Sequence, residues 1–252
     1  MLTEKRYEKI MELLEEKDSI TVVEICDELD VSESTARRDI TALAKAGKLT
    51  KVFGGAIALE HTVIASEPTV AQKIKVNEPE KRAIAKKAAE FVEKDDFIYL
   101  DAGTTTGYMI DYLDKDSVIV FTNSISHVKI LSDRGFKVIL CGGEVKSSTE
   151  AIVGSQAMKM VENFHFTKGF FGANGVEKKA GFTTPDSSEA LIKELAISHC
   201  KDVYVLADRD KFDKISSVTF AGISAAKIIT DEAKASYKNL KNVMAVGTGK
   251  SA

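Results

Sequence analysis

The sequence predicts a chain of two parts: a small N-terminal unit of three helices closed by a β-hairpin, and a larger α/β domain on a mostly parallel sheet. Three observations predict it. Apolar residues recur at helical spacing in three successive short stretches before Gly47, and a Gly-Gly turn follows at 54–55. From Pro79 onward, short apolar runs alternate with helical stretches, the pattern of a parallel sheet covered on both faces. The charge is also uneven. Residues 1–30 carry a net −6, residues 31–57 a net +3, and the remaining 195 residues balance.

Composition limits the function classes. With 252 residues, 44% hydrophobic and 29% charged, the chain is globular rather than disordered, collagenous or coiled-coil. No apolar run approaches the roughly 18–20 residues needed to span a bilayer. The charged start, MLTEKRYEKIMELLEEK, does not read as a secretory signal. Cys26, Cys141 and Cys200 are too widely spaced for a metal clip or a disulfide framework. Reduced thiols and a cytoplasmic location are expected. The four His show no paired metal spacing and there is no GxGxxG, so neither a metal nor a cofactor is expected.

The first helix starts with Thr3 as cap and aligns Tyr7, Ile10, Met11 and Leu14 on one face. Thr21 and Glu24 form a capping box for the second helix, which aligns Val22, Ile25, Cys26 and Leu29. After the break at Asp30-Val31, Ser32 caps a third helix, ESTARRDITALAKA, which stops at Gly47. Ala36, Ile40 and Leu43 share its inner side. Ser34, Arg37, Arg38 and Thr41 fall on roughly the opposite side, with Thr35 beside them. Arginine bonds guanine edges or clamps phosphates, and hydroxyls reach bases or backbone. A solvated surface helix presents similar residues. The next segment weighs against that reading. Residues 48–53 alternate as a strand, Gly54-Gly55 turns, and 56–59 return. Lys48 and Lys51 then sit on a two-stranded basic wing.

Residues 58–78 read as a linker. Pro79 opens a helix over PEKRAIAKKAAEFV. Strand-like runs follow at 97–100, 117–121, 137–140, 168–171, 203–206 and 227–230, with helical stretches at 107–113, 124–131 and 187–199. Ligands in such sheets bind beyond the carboxyl ends of the strands, so the loops that follow the strands carry the chemistry. The first is Asp101-Ala102-Gly103-Thr104-Thr105-Thr106-Gly107 and the second Thr122-Asn123-Ser124. The third begins Cys141-Gly142-Gly143, the fourth contains Asn174, and the fifth runs from Asp208 to Lys211. Gly103, the three threonine hydroxyls and N–H groups at a helix start suit a phosphate. Lys193 and Lys211 are candidate cations, and Asp101, Glu189 and Asp208 candidate acceptors for sugar hydroxyls. Any one of these loops is also an ordinary βα turn; together they point to a small phosphorylated polyol. A GKS triplet at 249–251 lacks the Gly that a nucleotide-binding loop requires at Met244.

The run S-E-S-T-A-R-R-D-I-x-x-L followed by GKLTKVFGGA resembles the winged helix of the DeoR family of bacterial transcriptional regulators. DAGTTT, TNS, GGEV, GANG, GFTTPD and ADxxKF resemble landmarks of its effector domain, so the likeness covers roughly residues 1–232. Phe53 stands where the family usually has His, and Arg209 and Asp210 replace the usual His and Ser. The resemblance implies a C-terminal fold similar to ribose-5-phosphate isomerase and a sugar-phosphate effector. GFTTPDSSEALIK is closest to fructose-operon repressors, which implies fructose 1-phosphate. The expected organisation is a DNA-binding domain over 1–57, a linker over 58–78 and an effector domain over 79–252. The expected function is a non-enzymatic repressor of a sugar-catabolic operon, acting on double-stranded operator DNA as a homo-oligomer (dimer or tetramer). The alternatives are a sugar-phosphate isomerase-like enzyme with a DNA-binding appendage, or a transcriptional activator.

Overall fold

The structure, a computed structural model, describes residues 2–17, 19–52, 54–58, 63–64 and 69–247. Phe53, residues 59–62 and 65–68 of the expected linker, and the GKS triplet lie outside them. The chain folds as two compact units. One comprises Met1–Thr62 with Ala235–Asn239, the other Val63–Lys234 with Leu240–Ala252. Among the described residues no helix is long and apolar enough to cross a membrane.

The first unit has helices Thr3–Lys17, Val22–Leu29 and Glu33–Lys45. Thr3 lies inside the first helix rather than capping it. Thr21 and Glu24 form the expected capping box, and the Ser32 hydroxyl accepts from the Thr35 N–H at 3.4 Å. At the end of the third helix, Lys48 N–H donates to the Leu43 carbonyl and Gly47 N–H to that of Ala44. That pair is a Schellman closure. The core consists of Ile10, Leu13, Leu14, Ile20, Val22, Ile25, Leu29, Ala36, Ile40, Leu43, Leu49 and Ala56. Apolar stripes on three helices thus meet on a small sheet.

That sheet has three strands, not the two expected. Leu49–Val52 and Gly55–Ala58 pair antiparallel, and Ser19–Thr21 adds to the other edge of Gly55–Ala58. Close pairing explains Gly55, where a Cβ would stand 2.1 Å from the Ile20 carbonyl oxygen.

The second unit is built on a seven-stranded sheet. Its order is Val243–Ala245, Lys227–Thr230, Cys200–Leu206, Phe166–Gly172, Asp96–Leu100, Val118–Thr122 and Lys137–Leu140, all parallel. Both faces are buried. Ile98, Leu100 and Phe170 pack under Ile84, Ala85 and Ala88 of the helix Glu78–Ala89. On the alternate positions, Tyr99 stacks on Phe121 and Phe171 at 5.8 and 5.3 Å between ring centres. The stretch at 107–113 is shorter than expected, a helix over Thr104–Tyr108 continued by a 3-10 turn. Outside the main sheet lie antiparallel strands Gly175–Glu177, Gly181–Thr184 and Val218–Ala221, the hairpin Glu144–Lys146 with Ala151–Val153, and a helix Ser155–Val161.

Strand order reverses between Phe166–Gly172 and Asp96–Leu100. The chain winds outward from each in opposite directions, leaving a crevice beyond their carboxyl ends.

Candidate functional site

Two sites emerge, one in each unit. In the first unit Ser34, Arg37 and Arg38 project from the third helix as exposed side chains, with Thr35 and Thr41 half-buried beside them. Arg37 donates to Glu33 at 3.0 Å, an exposed pair one turn apart. Thr41 donates to the Arg37 carbonyl at 2.7 Å and accepts from Lys51 Nζ at 3.0 Å, which ties the wing to the helix. Lys48 and Lys51 are both exposed. The helix is held from beneath by a contact that sequence reading missed. Arg6 of the first helix donates from Nε and a terminal nitrogen to both oxygens of Asp39, at 2.7 and 3.1 Å, and both side chains are buried. Asp39 and Arg6 lie on the inner stripes of their helices, so the outer face carries cations without a balancing acid at position 39.

In the second unit a cavity of about 320 Å³ opens at the strand-order reversal. Of the residues expected there, Asp101, Gly103, Thr104, Thr105, Asn174, Glu189, Lys193, Asp208 and Lys211 line it. Asp101, at the end of its strand, accepts from the Gly172 N–H at 2.9 Å and from Lys193 Nζ, so it bridges the two strands at the reversal. Glu189 accepts from Thr149 at 2.5 Å and Lys146 at 3.1 Å. Asp208 accepts from Asn77 at 3.2 Å. These carboxylates are buried and oriented, with a rim of threonine and asparagine.

Other expected residues stand elsewhere. The Thr106 hydroxyl donates to the Asp101 and Gly103 carbonyls at 2.6 and 2.8 Å, which closes its own turn. Thr122 donates to the Leu100 carbonyl at 2.7 Å. Asn123 accepts from the Ala102 N–H at 3.1 Å and donates to the Ile152 carbonyl, so it braces the lining loop from behind. Ser124 caps the helix Ile125–Asp133 and lines a smaller neighbouring cavity. Gly142 and Gly143 line no described cavity. Gly143 has φ +149°, and a Cβ there would meet the Val153 carbonyl oxygen at 2.7 Å, so its glycine serves the local hairpin. The first, fourth and fifth loops therefore line the cavity directly, Asn123 of the second braces it from behind, and the third reaches it through the bond of Lys146 to Glu189.

The cavity's cations were largely missed. Lys73, Lys81 and Lys214 line it along with Lys193 and Lys211. Lys81 is 3% exposed, and its Nζ donates to the Lys73 carbonyl. Among the described residues no carboxylate lies within ion-pair distance of Lys81, Lys211 or Lys214. Burial pushes the Lys81 ammonium down to about 8; Asp208 pulls the other way, and Lys211 and Lys73 add to the depression. Lys211 is also pushed below its ordinary value, chiefly by burial. Such a cluster is a standing demand for an anion. The signal was present in the sequence, since Lys81, Ile84, Ala85 and Ala88 fall at i, i+3, i+4 and i+7 on one stripe.

A DNA-reading helix with a basic wing, joined in one chain to a ligand-sized cavity at the switch point of an α/β sheet, defines a ligand-responsive transcriptional regulator. Residues 6–62 match the DeoR-like helix-turn-helix domain and residues 76–232 the DeoR C terminal sensor domain, and the chain belongs to the DeoR family. It is 44% identical over 235 residues to a Bacillus subtilis (strain 168) protein described as an uncharacterized HTH-type transcriptional regulator FruR, covering 93% of each chain. It is 34% identical over 238 residues to the lactose phosphotransferase system repressor of Streptococcus mutans, covering 92% of this chain and 93% of that one. Among solved structures, ribose 5-phosphate isomerase A of Methanocaldococcus jannaschii aligns with 54% of this chain and 55% of its own, at 16% identity and a TM-score of 0.40.

Proposed function

We propose that this regulator represses a sugar-catabolic operon in the cytoplasm and that a phosphorylated sugar releases it from its operator. One observation carries the effector half of this reading: Lys81, Lys211 and Lys214, which have no carboxylate within ion-pair distance among the described residues, share a cavity with oriented carboxylates. The phosphate goes to Lys81, Lys211 and Lys214. The sugar hydroxyls go to Asp101, Glu189, Asp208, Asn174 and the Thr104–Thr105 rim. This moves the anion from the threonine loop, where sequence reading put it, because Thr106 is committed to its own turn. Arg37, Arg38, Ser34, Thr35 and Thr41 read or clamp operator DNA, and Lys48 and Lys51 hold its backbone. The relatives' names, a lactose phosphotransferase system repressor and a regulator called FruR, support a sugar signal. Fructose 1-phosphate is the effector we favour.

The test pairs two titrations of the full-length protein. Thermal stabilisation is measured across sugar phosphates and their unphosphorylated parents; ligand at about 100 times its Kd should stabilise by about 2.7 kcal/mol. Binding to DNA from upstream of its own operon is measured with and without the same compounds. Stabilisation and release by one phosphosugar, with neither from its parent sugar, support the reading. Turnover of the sugar phosphate, or DNA binding that strengthens with it, argues for an enzyme or for a different regulatory sign.

A further inference from the structure

The segment Val70–Ile74 is a five-residue helix, too short to hold itself in water. Thr69 and Gln72 close a capping box at its start. Three hydrogen bonds fasten it to the rest of its unit. Val70 N–H donates to the Ser148 carbonyl at 3.1 Å, Tyr108 donates to the Ile74 carbonyl at 3.0 Å, and Lys81 donates to the Lys73 carbonyl. Val70 and Lys73 line the cavity, and so does Lys81. The segment is therefore a wall of the site as well as the stretch of chain that follows the helix-turn-helix unit in sequence.

We propose that the anion held by Lys81 of the helix Glu78–Ala89, with Lys211 and Lys214, also meets Lys73 on this segment, and that it fastens the segment onto the sensor unit. Occupancy of the site is thereby expressed in the chain that runs back toward the DNA-reading unit. This rests on the sugar-phosphate reading above. Burial depresses the Lys81 ammonium, and repulsion from Lys211 and Lys73 adds to it. An anion between them converts that repulsion into two attractions. It also favours the charged form of Lys81, the better donor to the Lys73 carbonyl. An anion held only by Lys211 and Lys214 would leave the segment untouched.

Hydrogen exchange of the full-length protein tests this, read on peptides covering 70–76. The Val76 N–H donates to the same Lys73 carbonyl, so its protection reports the segment directly. The probes are fructose 1-phosphate, other hexose and pentose phosphates, inorganic phosphate and unphosphorylated fructose, each with binding measured independently by calorimetry. At ten times its Kd, a ligand that must leave before the segment opens slows exchange about tenfold. That slowing is the expected result, together with its loss in Lys73→Gln, whose weakened binding is measured by calorimetry and matched by working at ten times the variant's own Kd. Tyr108→Phe provides a second readout. It removes a tie without touching the anion, so free-state exchange rises about two- to tenfold and ligand restores protection. Binding by calorimetry with unchanged or faster exchange at 70–76 overturns the proposal and leaves the sugar-phosphate reading standing. Absence of binding by every phosphorylated probe overturns both.

Discussion

The roles proposed for Arg37 and Lys51 on DNA rest on different chemistry, and substituting each should leave a different trace. Arg37 is exposed and its bond to Glu33 is a surface pair, worth little and easily exchanged for a base edge. Arg37→Ala should cost about 1–3 kcal/mol of operator affinity and relax specificity at one position. Lys51→Ala should weaken specific and random DNA alike and lower the salt slope by about one. Anisotropy titrations over a salt series separate them: an unchanged operator affinity removes the role of Arg37, and a loss confined to one sequence removes that of Lys51. Lys81 gives a prediction in pH. Its ammonium is depressed to about 8, by burial first, while Asp208 and Glu78 oppose and Lys211 and Lys73 assist. Below pH 8 it is charged and ready for an anion. Above, binding must take up a proton, so the effector Kd should rise by up to about tenfold per pH unit. Calorimetry between pH 7 and 9.5 should show that rise, and Lys81→Met should flatten it while weakening binding throughout.

At the scale of elements, the ion pair between Arg6 and Asp39 joins the first helix to the third beneath the DNA-reading face. Asp39→Ala leaves the guanidinium buried without its partner, an outcome worse than never having had the pair. The variant should melt at lower temperature and lose operator affinity, while calorimetry finds effector binding intact. Loss of both bindings together would show that the two units do not fold independently. The same pair shows what sequence could and could not reveal. The caps at Thr21 and Ser32, the Gly-Gly turn and the apolar stripes were legible because each is a local rule, and the strands at 137–140 and 227–230 appear with the expected bounds. Charged residues on an inner stripe were read past: Asp39 among Ala36, Ile40 and Leu43, and Lys81 among Ile84, Ala85 and Ala88. A buried charge has a partner that sequence spacing does not reveal. Strands of three residues were also silent. Ser19–Thr21 and Val243–Ala245 are too short to show alternation, and only pairing defines them. Gly142 and Gly143 misled for the opposite reason, since a glycine pair after a strand serves a tight hairpin as readily as a phosphate.

At the scale of the whole molecule, helix-turn-helix units commonly read paired half-sites one helical turn apart or a multiple of it. A dimer or tetramer is accordingly the assembly we propose on the operator. Repression relieved by a ligand is then a cycle of four states: free, DNA-bound, effector-bound and doubly bound. A closed cycle has one coupling free energy. If fructose 1-phosphate raises the operator Kd by some factor, typically about 5–150-fold, saturating operator DNA must raise the effector Kd by the same factor. Both can be measured on one preparation, the first by anisotropy and the second by calorimetry, at a protein concentration where sedimentation shows a single species. Equal factors place the whole response in a change within one assembly. A larger factor in one direction would require a fifth state, namely a subunit that leaves when effector binds, and the discrepancy should then disappear as protein concentration is raised.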